Sequence, residues 1–380
     1  MDYSDHSKAL KMIEKTQLAE VDQREAVKEA KLFLAKRDGQ WDPESWTKMD
    51  GRYRGTFDIC TPIIDQISGE IEQSDFTLRV RPSGGSSSES NAKINDGLIR
   101  NIRNISNAEA IFQRAGRANV VAGFDCWEVV QDWIDGDSFD QDLFIRPVTN
   151  ASQSVWFDPS SVLQDRSDAR WGVKLTDMPA TDYRAQFPDG KGNSVGDATV
   201  SNVFWNKIES VRVGKLYYKK PRNIEIVRMT NGAVYQVDDD FKAIQDELAN
   251  PQDGSQPITI ELDDNGNEKR RFRKAWRVYT RIFDGSDWLK EEEETVFDYI
   301  PLIPIYGNFD VIEGTLIYFG KIENLYDEQR GLNYAMSRDI EDGALSPSPT
   351  TWMTSKQAEG HDYSKIQIYH KGVLVKRFYK

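Results

Sequence analysis

The chain is organised around the stretch from Ile300 to Pro349, which begins Ile300-Pro301-Leu302-Ile303-Pro304-Ile305-Tyr306-Gly307. Each proline removes a backbone N–H donor, so this apolar run predicts an edge strand or an extended segment and not a helix. A long helix is predicted after it, because apolar side chains recur from Leu316 to Ile340 at steps of three and four. The stripe consists of Ile322, Leu325, Leu332, Met336 and Ile340, with Gln329 filling its gap.

The apolar stripe of this predicted helix is narrow, and charged residues surround it. A narrow stripe is more typical of a helix that packs beside similar helices than of one buried in a core. At about 1.5 Å per residue the helix would extend about 35 to 40 Å. Gly343 is predicted to end it, and Pro347 and Pro349 would keep it from continuing.

Length and composition indicate a globular protein. The chain has 380 residues, of which 38 % are hydrophobic and 11 % aromatic, and this length predicts about two to three domains. A formal charge of −13 and a pI near 4.9 argue against a protein that wraps nucleic acid through phosphate neutralisation. The two cysteines, Cys60 and Cys126, fit a reducing compartment. Neither a signal peptide nor an apolar stretch of membrane-spanning length is expected.

The first third of the chain is predicted to be helical. Charged, imperfectly periodic sequence predicts one helix over residues 7–36, and a second helix is predicted over residues 62–73. Residues 76–81 alternate as a strand would. Helical periodicity resumes over residues 92–122, with Ser106 and Asn107 predicted to break it by capping a further helix.

The part that follows is predicted to be rich in β-structure. Residues 126–130 and 143–148 flank an Asp/Gly turn and are predicted to pair. Further strands are predicted at 211–218, 223–229 and 233–237, with a type I′ turn at Thr230-Asn231-Gly232. A helix is predicted from Asp238 to Leu248. The fold class is therefore α+β, with a helical part at 1–122 and a β-rich part at 123–310.

Two acidic groups could hold a metal ion. Asp158, Asp165 and Asp168 lie within eleven residues, but they lack the glycine and the terminal glutamate of a calcium loop. We favour the alternative that they cap turns and that Arg170 pairs with one of them. Asp238-Asp239-Asp240 is the second group, and its simpler interpretation is the start of a helix.

A dense basic run with interleaved aromatic residues occurs near residue 275. Alternation along a strand would place Arg271, Arg273 and Arg277 on one face, where they could contact phosphate or an acidic partner. The alternative is a solvated strand whose charge is neutralised by Glu291-Glu292-Glu293-Glu294.

Histidine-based catalysis is not predicted, because the chain has only His6, His361 and His370, all near its ends. No cofactor is predicted either. One alternative function is a metal-dependent nuclease that uses Asp158, Asp165 and Asp168, or Asp238-Asp239-Asp240. Another is a non-enzymatic module that binds a partner protein through the long helix.

Several segments together resemble the portal proteins, or head-to-tail connectors, of podovirus-type tailed bacteriophages. One is Trp156-Phe157-Asp158-Pro159 followed by Asp165-Arg166-Ser167-Asp168-Ala169-Arg170-Trp171. The others are Trp41-Asp42-Pro43 with residues 63–72, and the run from Ile300 leading to Asp327-Glu328-Gln329-Arg330-Gly331-Leu332-Asn333-Tyr334-Ala335-Met336-Ser337. These segments occur in the family's order, over residues 40–350.

The resemblance implies a structural subunit of a ring, usually a dodecamer, at one capsid vertex of the virion, assembled in the host cytoplasm. Double-stranded DNA would pass through the ring during packaging and ejection and would bind only weakly. The implied partners are the terminase, the capsid or scaffolding protein and the tail adaptor, with no membrane.

The resemblance also implies a division of the chain. Residues 1–310 resemble the wing and residues 314–343 the first stem helix. Residues 347–380 resemble an incomplete start of the clip. The family pattern continues beyond a clip, so a fragment, a truncated gene or a frameshifted end is expected at Lys380.

Overall fold

The computed structural model describes residues 5–35, 38–74, 78–82, 89–192, 195, 210–237, 241–249, 257–263, 266–312, 314–345, 369–370 and 373–374. They form two compact units. Unit 1 comprises Met1–Lys31 and Ile63–Glu323, and unit 2 comprises Leu32–Pro62 and Asn324–Lys380. Helices and antiparallel sheets occur together, which confirms the α+β class.

The helices follow the predicted order with some changes in their bounds. They are α1 (His6–Ala19), α2 (Val21–Ala35), α3 (Pro43–Lys48), α4 (Cys60–Gln73), α5 (Glu89–Ile105), α6 (Ala108–Ala122), α7 (Ala151–Ser154), α8 (Ala180–Gln186), α9 (Phe241–Ala249) and α10 (Tyr326–Leu345), with 3₁₀ turns at Asp38–Gln40 and Glu323–Leu325.

The strands pair antiparallel throughout the described part of the chain. They are β1 (Phe124–Trp133), β2 (Gln141–Pro147), β3 (Val155–Phe157), β4 (Trp171–Pro179), β5 (Ser210–Arg228), β6 (Val234–Gln236), β7 (Arg270–Phe283), β8 (Glu293–Glu294), β9 (Leu302–Tyr306), β10 (Asn308–Ile312), β11 (Thr315–Phe319), β12 (Tyr369–His370) and β13 (Val373–Leu374).

Unit 1 contains two main sheets. One has the strand order β2-β1-β9, so the proline-containing strand β9 lies at an edge, as its sequence predicted. The other has the order β3-β4-β5-β7-β8, with β6 also pairing with β5. Its core contains Trp156, Trp171, Leu216, Tyr218 and Phe283, against which Ile13 of α1 packs. A smaller core around Val227, Met229, Phe241 and Ile260 covers the far end of β5.

The predicted stem helix begins later than its sequence pattern indicated. Residues 315–319 form strand β11, which pairs with β10 across a turn at Gly314, where φ is +77°. Helix α10 starts at Tyr326, continues through Gly343 and ends at Leu345. Its 20 residues give a length of about 30 Å. Leu316, Ile317 and Tyr318 suit a strand as well as a helix, and their pairing with β10 decides between the two.

Other predicted elements also differ. The first helix is two helices that break at Glu20. Residues 78–82 form no strand, while Phe76 and Thr77 lie outside the described residues. β5 is one strand through Pro221, which is tolerated because the pairing with β4 ends at Tyr218 and leaves that edge open.

Two turns differ from their sequence-based predictions. Only Gly232 has a positive φ in the turn at 230–232, so the turn is not type I′. Asn107 precedes α6 without a side-chain capping hydrogen bond. The break at 106–107 is nevertheless confirmed, and the Ser106 hydroxyl accepts a hydrogen bond from the Ile145 amide at 2.9 Å.

Candidate functional site

Helix α10 of unit 2 buries a polar face. Gln329, Asn333 and Ser337 are 0 % exposed, whereas Met336 and Ile340 are 38 % and 40 % exposed. Steps of four place the three polar residues above one another on one side of the helix. We call Gln329, Asn333 and Ser337 the polar ladder. The sequence analysis predicted that the apolar stripe would pack against neighbouring helices. Within unit 2, however, α10 buries the polar ladder and leaves Met336 and Ile340 of that stripe exposed.

The polar ladder binds the backbone of an extended segment, residues 53–59. Oγ of Ser337 accepts a hydrogen bond from the Gly55 amide at 3.0 Å, and Oδ1 of Asn333 accepts one from Phe57 at 2.8 Å. Oε1 of Gln329 accepts one from the Ile59 amide at 3.0 Å. Four helical residues rise about 6 Å and two extended residues about 6.6 Å, so the two repeats match.

The remaining polar groups of the ladder are also satisfied. Nε2 of Gln329 donates to the Phe57 carbonyl and to Oδ1 of Asn333, both at 2.9 Å. Nδ2 of Asn333 donates to the Gln40 carbonyl at 2.9 Å. The Cys60 thiol lies 3.5 Å from Oε1 of Gln329, and burial raises the pKa of this thiol to about 11, so it stays protonated as a donor.

One ion pair extends the same line of contacts. Glu341 lies four residues beyond Ser337, and both of its carboxylate oxygens accept hydrogen bonds from Arg52: Nε lies 3.0 Å from Oε1 and Nη2 lies 2.6 Å from Oε2. This bidentate geometry lowers the pKa of Glu341, first through the hydrogen bond from Arg52. Sequence reasoning missed the ladder, although uncharged polar residues at 329, 333 and 337 of a charged helix were its visible signal.

The predicted stem-helix residues lie in different environments. Ile322 is buried in unit 1 and precedes the helix, and Leu325 belongs to the 3₁₀ turn. Leu332 is half-buried on α10. The structure therefore does not bring Ile322, Leu325, Leu332, Met336 and Ile340 together as one helical stripe, and their role in association stays a prediction.

The loop between β3 and β4 in unit 1 is organised by its aspartates. Oδ1 of Asp158 accepts hydrogen bonds from the amide and hydroxyl of Ser160, at 3.0 and 2.8 Å. Asp168 binds the Ser161 hydroxyl and the Val162 amide, and these bonds lower its pKa despite the opposing effect of burial. Asp165 caps the Ser167 amide at 3.0 Å. The favoured interpretation of these aspartates as turn caps is confirmed.

The expected pairing of Arg170 with an aspartate is made by its backbone and not by its side chain: the Arg170 amide donates to Oδ2 of Asp158 at 3.4 Å. Arg170 is exposed, and its guanidinium makes no ion pair within the described residues. Arg166 is the anchored arginine: it adopts a φ of +54° and is 5 % exposed. Its Nη1 donates to the Ser161 carbonyl at 2.7 Å and its Nε to the Tyr306 hydroxyl at 3.1 Å.

Arg166 joins two of the segments that carried the family resemblance. Tyr306 ends strand β9, so the contact ties the loop after Trp156 to the run that begins at Ile300. The remaining motif residues lie in or beside strands β3 and β4. Trp156 of β3 pairs with Val173 of β4, and Ala169 and Trp171 are buried. Pro159 follows β3 in the turn that Asp158 caps.

A second buried arginine packs on the same aromatic cluster. Rings of Phe124, Tyr306 and Tyr318 lie 5.1 to 5.4 Å apart, and the Arg24 guanidinium lies 4.5 Å from the Phe124 ring. Arg24 pairs with Glu20 at 2.7 Å. Burial lowers the pKa of Arg24, but Tyr318 and Glu20 outweigh it and the net shift is upward, so the guanidinium stays charged.

The basic strand β7 is only partly neutralised. Arg277 pairs with Asp298 at 3.0 Å and lies 3.8 Å from Glu294. Glu294 also pairs with Arg222, and Glu292 with Lys220. Arg271 and Arg273 are exposed and make no ion pair with any residue that the structure describes. The predicted neutralisation by the glutamates therefore holds for Arg277 but not for the other two.

The described residues form neither a cluster suited to a metal ion nor a helix suited to a membrane. Within them, no three His, Cys, Asp or Glu side chains are grouped as a metal site would require. Asp238-Asp239-Asp240 lies outside the described residues. Every described helix is too short or too polar to cross a membrane.

The described part of the chain is an α+β protein whose long helix packs through polar side chains within unit 2 and whose three loop aspartates cap turns. The chain belongs to the phage P22-like portal protein family, whose model matches residues 10–368.

A curated relative is the portal protein of Acyrthosiphon pisum secondary endosymbiont phage 1. It is 26 % identical to this chain over 330 residues, which is 83 % of the chain and 44 % of the relative. The chain thus spans less than half the length of this relative.

Proposed function

We propose that the chain is a structural portal subunit that forms part of a ring at one vertex of a phage capsid. The observation that carries this proposal is the family match over residues 10–368. The similarity to a curated phage portal protein supports it. The ring would serve as the channel for double-stranded DNA during packaging and ejection, and it would be a virion component.

We propose further that most of unit 1 corresponds to the wing and α10 to the beginning of the stem. Support for the second assignment comes from α10 itself, whose polar ladder fixes one side in unit 2 while Tyr334, Met336 and Ile340 remain exposed. An exposed apolar side on a helix of about 30 Å suits contact with the same helix of a neighbouring copy. The residues proposed for the clip, 347–380, lie almost entirely outside the described residues.

The partners that we propose follow from the same role. They are other copies of the chain in a ring, the terminase, the capsid or scaffolding protein and the tail adaptor. DNA would be a passing and weakly held partner, in keeping with the formal charge of −13.

Native mass spectrometry tests the ring. The protein, expressed as its complete reading frame, should give closed assemblies of about a dozen copies, and negative-stain images should show the same symmetry. A strictly monomeric protein across micromolar concentrations would contradict the proposal. A nuclease assay with divalent metal tests the competing function, and DNA cleavage that depends on Asp158 or Asp168 would favour that alternative.

A further inference from the structure

One edge of strand β7 combines exposed aromatic rings with cations that have no carboxylate partner. Phe272 and Trp276 are 73 % and 53 % exposed. Arg271, Arg273 and Lys274 make no ion pair with any residue in the described part of the chain. We call residues 271–276 the basic strand edge.

The basic strand edge lacks a neighbouring strand on one side. β5 pairs with β7 along its whole length, from Val227↔Arg270 to Gly214↔Phe283. On the opposite side β8 pairs only with Tyr279 and Thr280, so among the described strands none covers residues 271–276 there. An exposed edge with large aromatic side chains is a surface that proteins usually cover.

The hairpin that joins β1 to β2 carries the opposite charge. Phe139 is 96 % exposed, and Trp133 and Ile134 are about half exposed. Around them lie four aspartates that make no ion pair with any described residue: Asp135, Asp137, Asp140 and Asp142. We call residues 133–142 the acidic hairpin tip. A phenylalanine held in water at the tip of a hairpin is well placed to insert into another surface.

We propose that the acidic hairpin tip of one copy docks on the basic strand edge of the next copy. This inference rests on the proposed ring and names the surfaces that would form it. Alternation along β7 puts Phe272, Lys274 and Trp276 on one face of the sheet and Arg271 and Arg273 on the other, so the hairpin tip would straddle the open edge. Phe139 would pack against Phe272 and Trp276, and the aspartates would meet the cations of both faces. Because the two surfaces differ, the contact is head-to-tail, which is the kind of contact that generates closed rings.

Charge around the basic strand edge favours a compact acidic partner over nucleic acid. Arg270 at one end pairs with Glu225 and Glu268, and Arg277 at the other pairs with Asp298. Carboxylates therefore bracket the three free cations, and a phosphate backbone that followed the strand would meet them. A hairpin tip is small enough to contact the cations alone.

Charge reversal tests the docking in the complete reading frame. The Arg271→Glu/Arg273→Glu variant should lose the ring, and so should Asp137→Arg/Asp140→Arg, because each places like charges across the contact. A chain that carries all four substitutions should recover the ring. Rings formed by both double variants, or no recovery in a quadruple variant with parental circular dichroism, would overturn the inference.

Cross-linking tests the same contact without changing charge. The variant Phe139→Cys/Phe272→Cys should give ladders of multimers with a short bis-maleimide, while both native cysteines are buried. A matched control is Phe139→Cys/Val162→Cys, since Val162 is also exposed. It should give no more multimer than Phe139→Cys alone. Rings without the specific ladder would overturn the docking and leave the portal role intact, whereas a parent protein without rings would contradict the portal role itself.

Discussion

Asn333 shows how much one buried amide can contribute to unit 2. Its side chain serves the Phe57 amide, the Gln40 carbonyl and the Gln329 amide. Asn333→Ala would remove this partner from the Phe57 amide and the Gln40 carbonyl, and it would leave the Gln329 amide with the Phe57 carbonyl alone. We expect a loss of about 3 kcal/mol in the free energy of unfolding. Urea unfolding measures this loss. Hydrogen exchange at the Phe57 amide should become faster in the same variant.

A control for Asn333→Ala lies five residues further along the helix. Arg338 is exposed and pairs with Asp342 at 3.6 Å. Arg338→Ala should change the free energy of unfolding by about 0.5 kcal/mol or less, because exposed ion pairs contribute little. Equal effects of the two variants would mean that the ladder does not stabilise unit 2.

Because the pKa of Tyr183 is raised, we expect the free energy of unfolding to fall in alkaline solution. Burial and a hydrogen bond of 2.7 Å to Asp284 raise its pKa from 10.0 to about 12. The folded protein therefore keeps this proton between pH 10 and about 12, while the unfolded chain releases it. The stabilisation is complete below pH 10 and falls as the pH rises toward about 12.

Tyr183→Phe removes this titrating group. Thermal melting of the variant should therefore depend less steeply on pH between about pH 10 and 12 than melting of the parent. Tyr299→Phe is the matched control, since Tyr299 is 64 % exposed. It should retain the parental pH dependence, and an unchanged slope in Tyr183→Phe would show that Tyr183 is not the responsible group.

At the scale of elements, sequence patterns predicted which strands and helices form better than where they begin. The strand pair around 126–148 and the break at 106–107 were predicted correctly because alternation and helical periodicity are local. The start of α10 was wrong, because residues 315–319 are apolar enough for either structure and their pairing with β10 is not local.

The candidate site on α10 was harder to predict for a physical reason. Helix-periodicity arguments assume that the buried side is apolar, whereas α10 buries Gln329, Asn333 and Ser337. Those side chains accept hydrogen bonds from the backbone amides of residues 55–59, as a neighbouring strand would. The pattern is not local, because Ile59 and Gln329 are 270 positions apart in the chain. Arg166 was similarly hidden, since nothing local distinguishes it from Arg170.

The exposed side of α10 gives a prediction for the element as a whole. Met336→Glu/Ile340→Glu should prevent ring formation while leaving unit 2 folded, because both side chains are more than a third exposed. Asp327→Asn, on an exposed position of the same helix, should assemble normally. Sedimentation velocity of the complete reading frame distinguishes the two, and rings in the double glutamate variant would place the stem contact elsewhere.

At the scale of the whole molecule, the acidic balance predicts weak DNA binding. A formal charge of −13 opposes tight contact with phosphate, and a channel subunit that bound DNA tightly would stall a moving duplex. Filter binding to duplex DNA at physiological salt should therefore show low affinity without sequence preference. Nanomolar, sequence-selective binding would contradict the proposed channel role.

The polar ladder has a consequence for how the sequence of this protein can drift. The ladder contacts the main chain of Gly55, Phe57 and Ile59, and every residue type except proline offers the same amide. The side chain of Ile59 is 42 % exposed, and the hydrogen bond from Ile59 to α10 uses only its backbone amide. Substitutions should thus accumulate at 59 much faster than at 329 or 333, so that one partner of the contact diverges while the other is held constant.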